Sequence, residues 1–144
     1  MNDEPSQNRA QSWANLLMPL VLWLILWSQH ALEWTINDQY GYALFVPALG
    51  GYLLFRRWLD RPDPVPALGV VPVVIVLVVA IVLLYPLKVI FEANADWRIA
   101  SWSQTLITFG VTLAFLAYWG GWPWLRHFAP AVIFWLFSIP WPTD

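Results

Sequence analysis

The longest strongly apolar stretch of this chain most constrains its fold. Residues 68–90 read LGVVPVVIVLVVAIVLLYPLKVI, and no charge occurs between Asp63 and Lys88. About 20 apolar residues are enough to cross the hydrocarbon core of a bilayer. Many of these residues are β-branched, which would favour a strand in water, but lipid favours a helix because a helix satisfies its own backbone hydrogen bonds. The stretch predicts a membrane-spanning helix that Pro86 kinks or ends.

The composition of the whole chain argues against a soluble domain. Hydrophobic residues make up 60% and charged residues 11%, whereas soluble domains contain about 25% charged residues. Tryptophan accounts for 12 of the 144 residues, and tryptophan concentrates where lipid meets water. The net charge of -2 gives no reason to expect a nucleic-acid partner. The chain has no cysteine, which excludes a disulfide, a thiolate nucleophile and a cysteine metal site within it.

Uncharged runs separated by polar connections predict an all-α, polytopic transmembrane bundle of about five segments. A polar tail, residues 1–12, lacks the basic region and cleavage site of a signal peptide. The transmembrane region, residues 13–144, contains segments at about 13–32, 40–56, 68–90, 100–119 and 124–140. The sequence GGWPW predicts the turn between the last two. Segment 40–56 contains Pro47, Gly50 and Gly51, and is either a kinked span or a re-entrant hairpin.

The distribution of lysine and arginine predicts the orientation, since cytoplasmic loops carry an excess of both. If the loop after the second segment is cytoplasmic, the basic residues on that side are Arg9, Arg56, Arg57, Arg61 and Arg126. Lys88 and Arg98 then lie on the outer side. This places the N-terminus in the cytoplasm and Asp144 on the outer side. A re-entrant second segment would invert every segment after it.

Two pairs of acidic residues are predicted to lie in the outward connections. Glu33 and Asp38 occupy one connection, and Glu92 and Asp96 occupy the other. We interpret them as solvated loop charges, with a cation or substrate site as the alternative. His30 precedes Glu33 by three residues, so a helix that continues to Glu33 brings the two together. This spacing fits a pH-sensitive pair or half of a metal site, but we favour a helix-end histidine at the membrane interface.

We interpret the other notable residues as having structural roles and no chemical ones. His127, beside Arg126, is interpreted as an interface anchor, and Lys88 as a side chain that extends to the membrane surface. Gly110 and Ala114 are spaced to admit a closely packed helix, or occur there by chance. The chain has no Gly-rich phosphate loop and no nucleophile elbow. The residues alone therefore predict no catalytic residue, no metal site and no cofactor.

Residues 34–62 resemble the first motif region of the exosortase/archaeosortase family, in which a Trp and an Asp precede YSHGFLVP and a helix that ends in a basic pair. The matching residues are Asp38, Tyr40, Phe45, Val46, Pro47, Arg56 and Arg57. The sequence departs from the pattern at Gly41, Tyr42 and Ala43, where Ser, His and Gly are commoner. The closing run FWLFSIPWP is similar to a second family feature, an apolar helix that ends in Ile-Pro-x-Pro at residues 139–142.

The resemblance implies an integral enzyme of the bacterial inner membrane with a sortase-like role. Such a transpeptidase or peptidase processes C-terminal sorting signals of exported proteins, so its partners are those proteins and the lipid bilayer. A sorting signal consists of a short motif, a membrane helix and a basic tail. The family uses a Cys nucleophile, with Arg and His as partners, because a nearby cation lowers the pKa of the thiol. This chain has no Cys, and its Arg98, Arg126, His30 and His127 match no catalytic motif of the family.

We therefore expect the N-terminal portion of an exosortase, truncated before the catalytic residues, in which no residue of this chain has a catalytic role. Two alternatives remain open. One is a non-enzymatic assembly subunit of an exopolysaccharide or export system. The other is a small transporter or channel, with Glu33, Asp38, Glu92 and Asp96 at a cation entrance.

Overall fold

The structure is a computed structural model that describes residues 4–66, 68–94 and 97–141, with side chains described from Leu17 onward. These residues form four α-helices and one 3-10 helix: α1 Glu4–Ile36, the 3-10 helix Asp38–Leu44, α2 Val46–Leu59, α3 Val70–Ala93 and α4 Arg98–Leu136. The described part of the chain contains no strand, so the predicted all-α class is confirmed.

The predicted segment 40–56 is divided between the 3-10 helix and α2. Asn37 caps the 3-10 helix, since its side-chain oxygen accepts a hydrogen bond from the backbone N–H of Gln39 at 3.1 Å. Pro47 lies in the first turn of α2, where a residue without an N–H loses no intrahelical hydrogen bond. Pro47 therefore begins a helix instead of bending one, and α2 continues unbroken through Gly50.

α3 is exposed over most of its apolar surface. Its buried residues are Val73 and Ala80. Only 11% of its most apolar 18-residue stretch is buried in the bundle. Pro86 does not end the helix, which continues to Ala93. Exposure of so much apolar surface to water is unfavourable. The exposed surface of α3 is therefore suited to an apolar environment such as lipid.

α4 bends back on itself at Gly121. The backbone of this residue has φ 65° and ψ -153°, a conformation that is essentially restricted to glycine. It divides α4 into a first arm, residues 98–120, and a second arm, residues 122–136. Nε1 of Trp102, near the start of the first arm, donates to the carbonyl of Pro140, beyond the second arm, at 2.9 Å. The two arms are therefore antiparallel, as the predicted Gly-Gly turn requires.

One end of the bundle joins the end of α1 to the end of α3 and the start of α4. Arg98, the first residue of α4, forms an ion pair with Glu33 in the last turns of α1. His30 contacts Phe91 near the end of α3, with ring centroids 5.4 Å apart. α1 and α3 are thus parallel to each other and antiparallel to the first arm of α4. We call this end of the bundle the polar end.

The opposite end joins the end of α2 to the start of the second arm of α4. The guanidinium of Arg57 donates to the carbonyl of His127, and Nε2 of His127 donates to the carbonyl of Arg57 at 2.8 Å. Nε1 of Trp124 also donates to the carbonyl of Pro62 at 3.0 Å. His127 is therefore a hydrogen-bond partner of α2. We call this end the basic end, because it carries Arg56, Arg57, Arg61 and Arg126.

Three tryptophans form the centre of the core. The ring centroids of Trp23, Trp27 and Trp135 lie 5.1 to 5.7 Å apart, and such aromatic pairs contribute about 0.5 to 1.5 kcal/mol each beyond their buried area. Their indole N–H groups donate, in the same order, to the hydroxyls of Thr112 and Ser138 and to the carbonyl of Pro47, at 3.0, 3.0 and 3.3 Å. These tryptophans connect helices inside the bundle and do not lie at its surface.

Two of the described helices, α3 and α4, are long and apolar enough to cross a membrane. α2 has 14 residues, or about 21 Å at the helical rise, against about 30 Å for the hydrocarbon core of a bilayer. The structure contains α1, α2, α3 and the two arms of α4 in alternating directions. That the chain has about five membrane segments stays a prediction.

Candidate functional site at the polar end

The polar end is organised around the ion pair between Glu33 and Arg98. Glu33 and Arg98 are half-buried, with 25% and 19% of their side chains exposed. The Arg98 guanidinium also lies over the ring of Tyr40, 5.5 Å from its centroid. Nδ1 of His30 lies 3.7 Å from the second oxygen of Glu33. The predicted proximity of His30 and Glu33 is therefore present, since α1 continues to Ile36.

His30 lies inside the bundle and not at an interface with water. Only 1% of the residue is exposed, and Phe91 packs edge-on against its ring. Neither ring nitrogen has a hydrogen-bond partner among the described residues. An ionisable residue that is buried in a membrane bundle without such partners is costly, and its presence usually marks a functional site.

Buried polar atoms without a hydrogen-bond partner are concentrated around His30. Six of the seven such side-chain atoms in the described residues lie on the last turns of α1 or the first turns of α4. They are Oε1 of Gln29, both ring nitrogens of His30, Nε1 of Trp34, Oγ of Ser101 and Oε1 of Gln104. A buried donor or acceptor left unpaired costs about 1 to 3 kcal/mol. This concentration marks a place suited to a hydrogen-bonding partner.

An apolar cleft of about 230 Å³ begins at this cluster and lies between α1, α3 and α4. Gln29 and Gln104 line its polar end, and Tyr85 and Lys88 line it from α3. Towards the basic end the lining is almost entirely apolar, with Leu22 the last α1 residue to contribute. The polar cluster and the cleft therefore form one continuous feature, polar at one end and apolar along its length.

Two of the four predicted outward carboxylates, Glu33 and Glu92, form separate ion pairs. Glu33 is paired with Arg98 at the polar end. Glu92 lies 3.7 Å from Lys88, and both side chains are exposed. Asp38 is exposed in the 3-10 helix, and Asp96 lies outside the described residues. No group of three or more His, Asp or Glu residues in the described part of the chain is placed to hold a metal ion.

Close helix packing occurs at a different glycine from the one that the sequence suggests. A Cβ added at Gly110 would meet nothing within 4 Å, so no helix approaches closely there. A Cβ added at Gly50 would instead overlap the indole of Trp135. Gly50 is therefore required by the close approach of α2 to the second arm of α4.

Sequence reasoning missed Ser101 and Gln104 as members of the site. The two residues are three apart, so they share a face of the first arm of α4. Both are almost completely buried. The available signal was a pair of polar residues on one face of an uncharged predicted span, since polar groups inside a membrane bundle usually face its interior.

Comparison with known protein families identifies the family to which this helical bundle belongs. The sequence profile of the transmembrane exosortase family matches residues 34–144. The chain belongs to the exosortase family. This confirms the resemblance inferred from the Tyr, Phe-Val-Pro and Ile-Pro-x-Pro features, and it makes the protein a membrane protein. No curated protein and no solved structure matched the chain.

In this exosortase family member, the residues that resemble the family motif make contacts across the bundle. The ring of Tyr40 lies beneath the Arg98 guanidinium at the polar end. The carbonyl of Pro47 accepts the indole N–H of Trp135 in the core. Arg57 pairs with the second arm of α4 at the basic end. The motif region therefore contacts α4 along the whole height of the bundle.

Proposed function

We propose that this exosortase family member provides the helical scaffold of a sortase-like transpeptidase or peptidase that processes C-terminal sorting signals of exported proteins. The observation that carries the proposal is the family match over residues 34–144. The 144 residues contain no cysteine, so a thiolate nucleophile must come from outside them. The bundle then holds the sorting signal and supports the active site, and it does not itself cleave.

The proposed setting is the bacterial inner membrane, with the polar end on the outer side and the N-terminus in the cytoplasm. Four arginines at the basic end support this orientation, since basic residues favour the cytoplasmic side. α1, α2, α3 and the two arms of α4 would then be the five membrane segments. α2 is shorter than the membrane core, and the 3-10 helix before it would complete the crossing.

A processing assay tests this function. The purified chain is incubated in detergent with a reporter that ends in a motif, a membrane helix and a basic tail. We expect the reporter to co-purify with the chain and to remain full length, with or without a thiol-alkylating reagent, because the chain has no thiol. A reporter without the three-part signal is the control.

Two results would contradict the proposal. Cleavage of the reporter by the purified chain would show that the scaffold contains its own catalytic group. Equal co-purification of the two reporters would show that the bundle does not recognise the signal. Among the alternatives, the transporter has less support, because Glu33 and Glu92 are paired with cations instead of lining an open entrance.

A further inference from the structure

We propose that the cleft between α1, α3 and α4 is a docking site for one transmembrane helix that carries a hydrogen-bond-donating side chain near its outward end. Asn, Gln, Ser and Thr are the side chains that meet this description. The proposal concerns the recognition of a helix by the bundle, and it does not depend on the processing reaction.

The need for a donor follows from the two glutamines. Gln29 on α1 and Gln104 on α4 both line the cleft, and Oε1 of each is buried without a hydrogen-bond partner among the described residues. Gln104 is only 3% exposed. An unpaired acceptor is costly where water is excluded, so these two glutamines favour a partner that brings a donor into the cleft. Side-chain hydrogen bonds of this type connect helices in membranes.

The size of the cleft favours side chains from a helix over a complete small ligand. Its volume of about 230 Å³ is below the roughly 300 to 1,000 Å³ of pockets that bind small molecules. From Leu22 to Gln29 the cleft follows α1 over eight residues, whose Cα atoms span about 10 Å at the helical rise. About two turns of a partner helix fit this length.

A neighbouring cleft distinguishes a helix with a donor from a lipid tail. The other side of α3 forms a cleft of about 240 Å³ with α4, lined by apolar residues and Gly110. A lipid tail would fit both clefts, but it offers no donor to Gln29 and Gln104. The cleft with the glutamines is therefore the one that selects for a polar group, and the other provides an internal control.

Cross-linking in vesicles tests the proposal. The purified full chain carries benzoylphenylalanine in place of Tyr85, which lines the cleft and is 75% exposed, or in place of Leu83, which lines the control cleft. The vesicles contain phosphatidylcholine, phosphatidylglycerol and a synthetic polyleucine helix with or without one Asn near its outward end. From position 85 we expect about three- to tenfold more cross-linking to the Asn helix than to the all-leucine helix. From position 83 we expect no preference.

Variants of the two glutamines complete the test. Gln29→Leu combined with Gln104→Leu should remove the preference for the Asn helix, because Leu has a similar size but no acceptor. Gln39→Leu is the matched control, since Gln39 is exposed in the 3-10 helix and does not line the cleft. Each single variant is also measured, and circular dichroism verifies that every variant is folded. Equal cross-linking of the two helices from position 85, or a preference that survives in the double variant, would overturn the proposal.

Discussion

At Gly50, α2 passes so close to Trp135 that there is no room for a side chain. An added Cβ would overlap the indole ring, whose Nε1 donates to the Pro47 carbonyl. We expect Gly50→Ala to destabilise the bundle by about 1 to 3 kcal/mol, the usual cost of overpacking a core. The measurement is the free energy of unfolding in mixed micelles, followed by tryptophan fluorescence.

Gly51→Ala is the control for this substitution. Gly51 is the next residue of the same helix, and an added Cβ there would meet nothing within 4 Å. Because Ala is a better helix former than Gly, we expect the control to be neutral or stabilising by up to about 1 kcal/mol. Equal destabilisation by the two substitutions would mean that α2 does not approach Trp135 closely.

Glu33 is the only acidic partner that the structure shows for Arg98 among the described residues. Glu33→Gln would leave a half-buried guanidinium without its counter-ion. We expect a loss of about 1 to 3 kcal/mol of unfolding free energy, between the values typical of exposed and of buried ion pairs. Glu92→Gln is the matched control, because the Lys88–Glu92 pair is exposed and should contribute less than about 1 kcal/mol. The prediction fails if the two variants are equally stable.

The site could be predicted only in part at the level of residues. The spacing of His30 and Glu33 was sufficient to place them together, because both lie on one helix. Their partner Arg98 lies on another helix, far along the chain, and a single sequence does not specify which face of one helix packs on another. The same reason explains why Ser101 and Gln104 were missed. His30 was assigned to an interface because a break in apolarity does not distinguish water from the bundle interior.

At the scale of the elements, Gly121 produces the bend that makes α4 two antiparallel arms. Its positive φ is a strained conformation for any other residue and costs about 1 to 3 kcal/mol. We expect Gly121→Ala to lower the free energy of unfolding by about this amount and to weaken the near-ultraviolet circular dichroism of the packed Trp102 and Trp141 rings. Thermal unfolding in micelles gives the stability change.

Gly110→Ala provides the control within the same helix. Gly110 has ordinary helical geometry, and an added Cβ there would meet nothing within 4 Å. The control should therefore be neutral or slightly stabilising. If Gly121→Ala were as stable as this control, the bend would not depend on the backbone conformation of residue 121.

The elements themselves were largely predictable, because uncharged runs and polar connections indicate helices and loops directly. The bend in α4 was predictable for the same physical reason that it forms, since two glycines followed by a proline favour a turn. The start of α2 was not. Pro47 is compatible with either the interior of a kinked membrane helix or the first turn of a new helix. In the structure Pro47 lies in the first turn of α2, and its carbonyl accepts a hydrogen bond from the indole N–H of Trp135. The sequence does not reveal this contact.

At the scale of the whole molecule, the family match and the alternating helices support a membrane bundle with two chemically different ends. The polar end contains the ion pair, the buried histidine and the start of the cleft, and the basic end contains four arginines. Under the proposed function, this arrangement would bring a sorting signal to the outer side with its membrane helix along the bundle. The orientation of the two ends is therefore central to the proposed function.

Labelling of single cysteines tests this orientation most directly. The natural chain has no cysteine, so each introduced thiol is the only one present. Gln39→Cys and Asn94→Cys place a thiol at exposed positions of the polar end, and Asp63→Cys places one at an exposed position of the basic end. In intact spheroplasts, a membrane-impermeant maleimide should label residues 39 and 94, and it should label residue 63 only after permeabilisation. Labelling of residues 39 and 94 from opposite sides, or of residue 63 from the outside, would contradict the account.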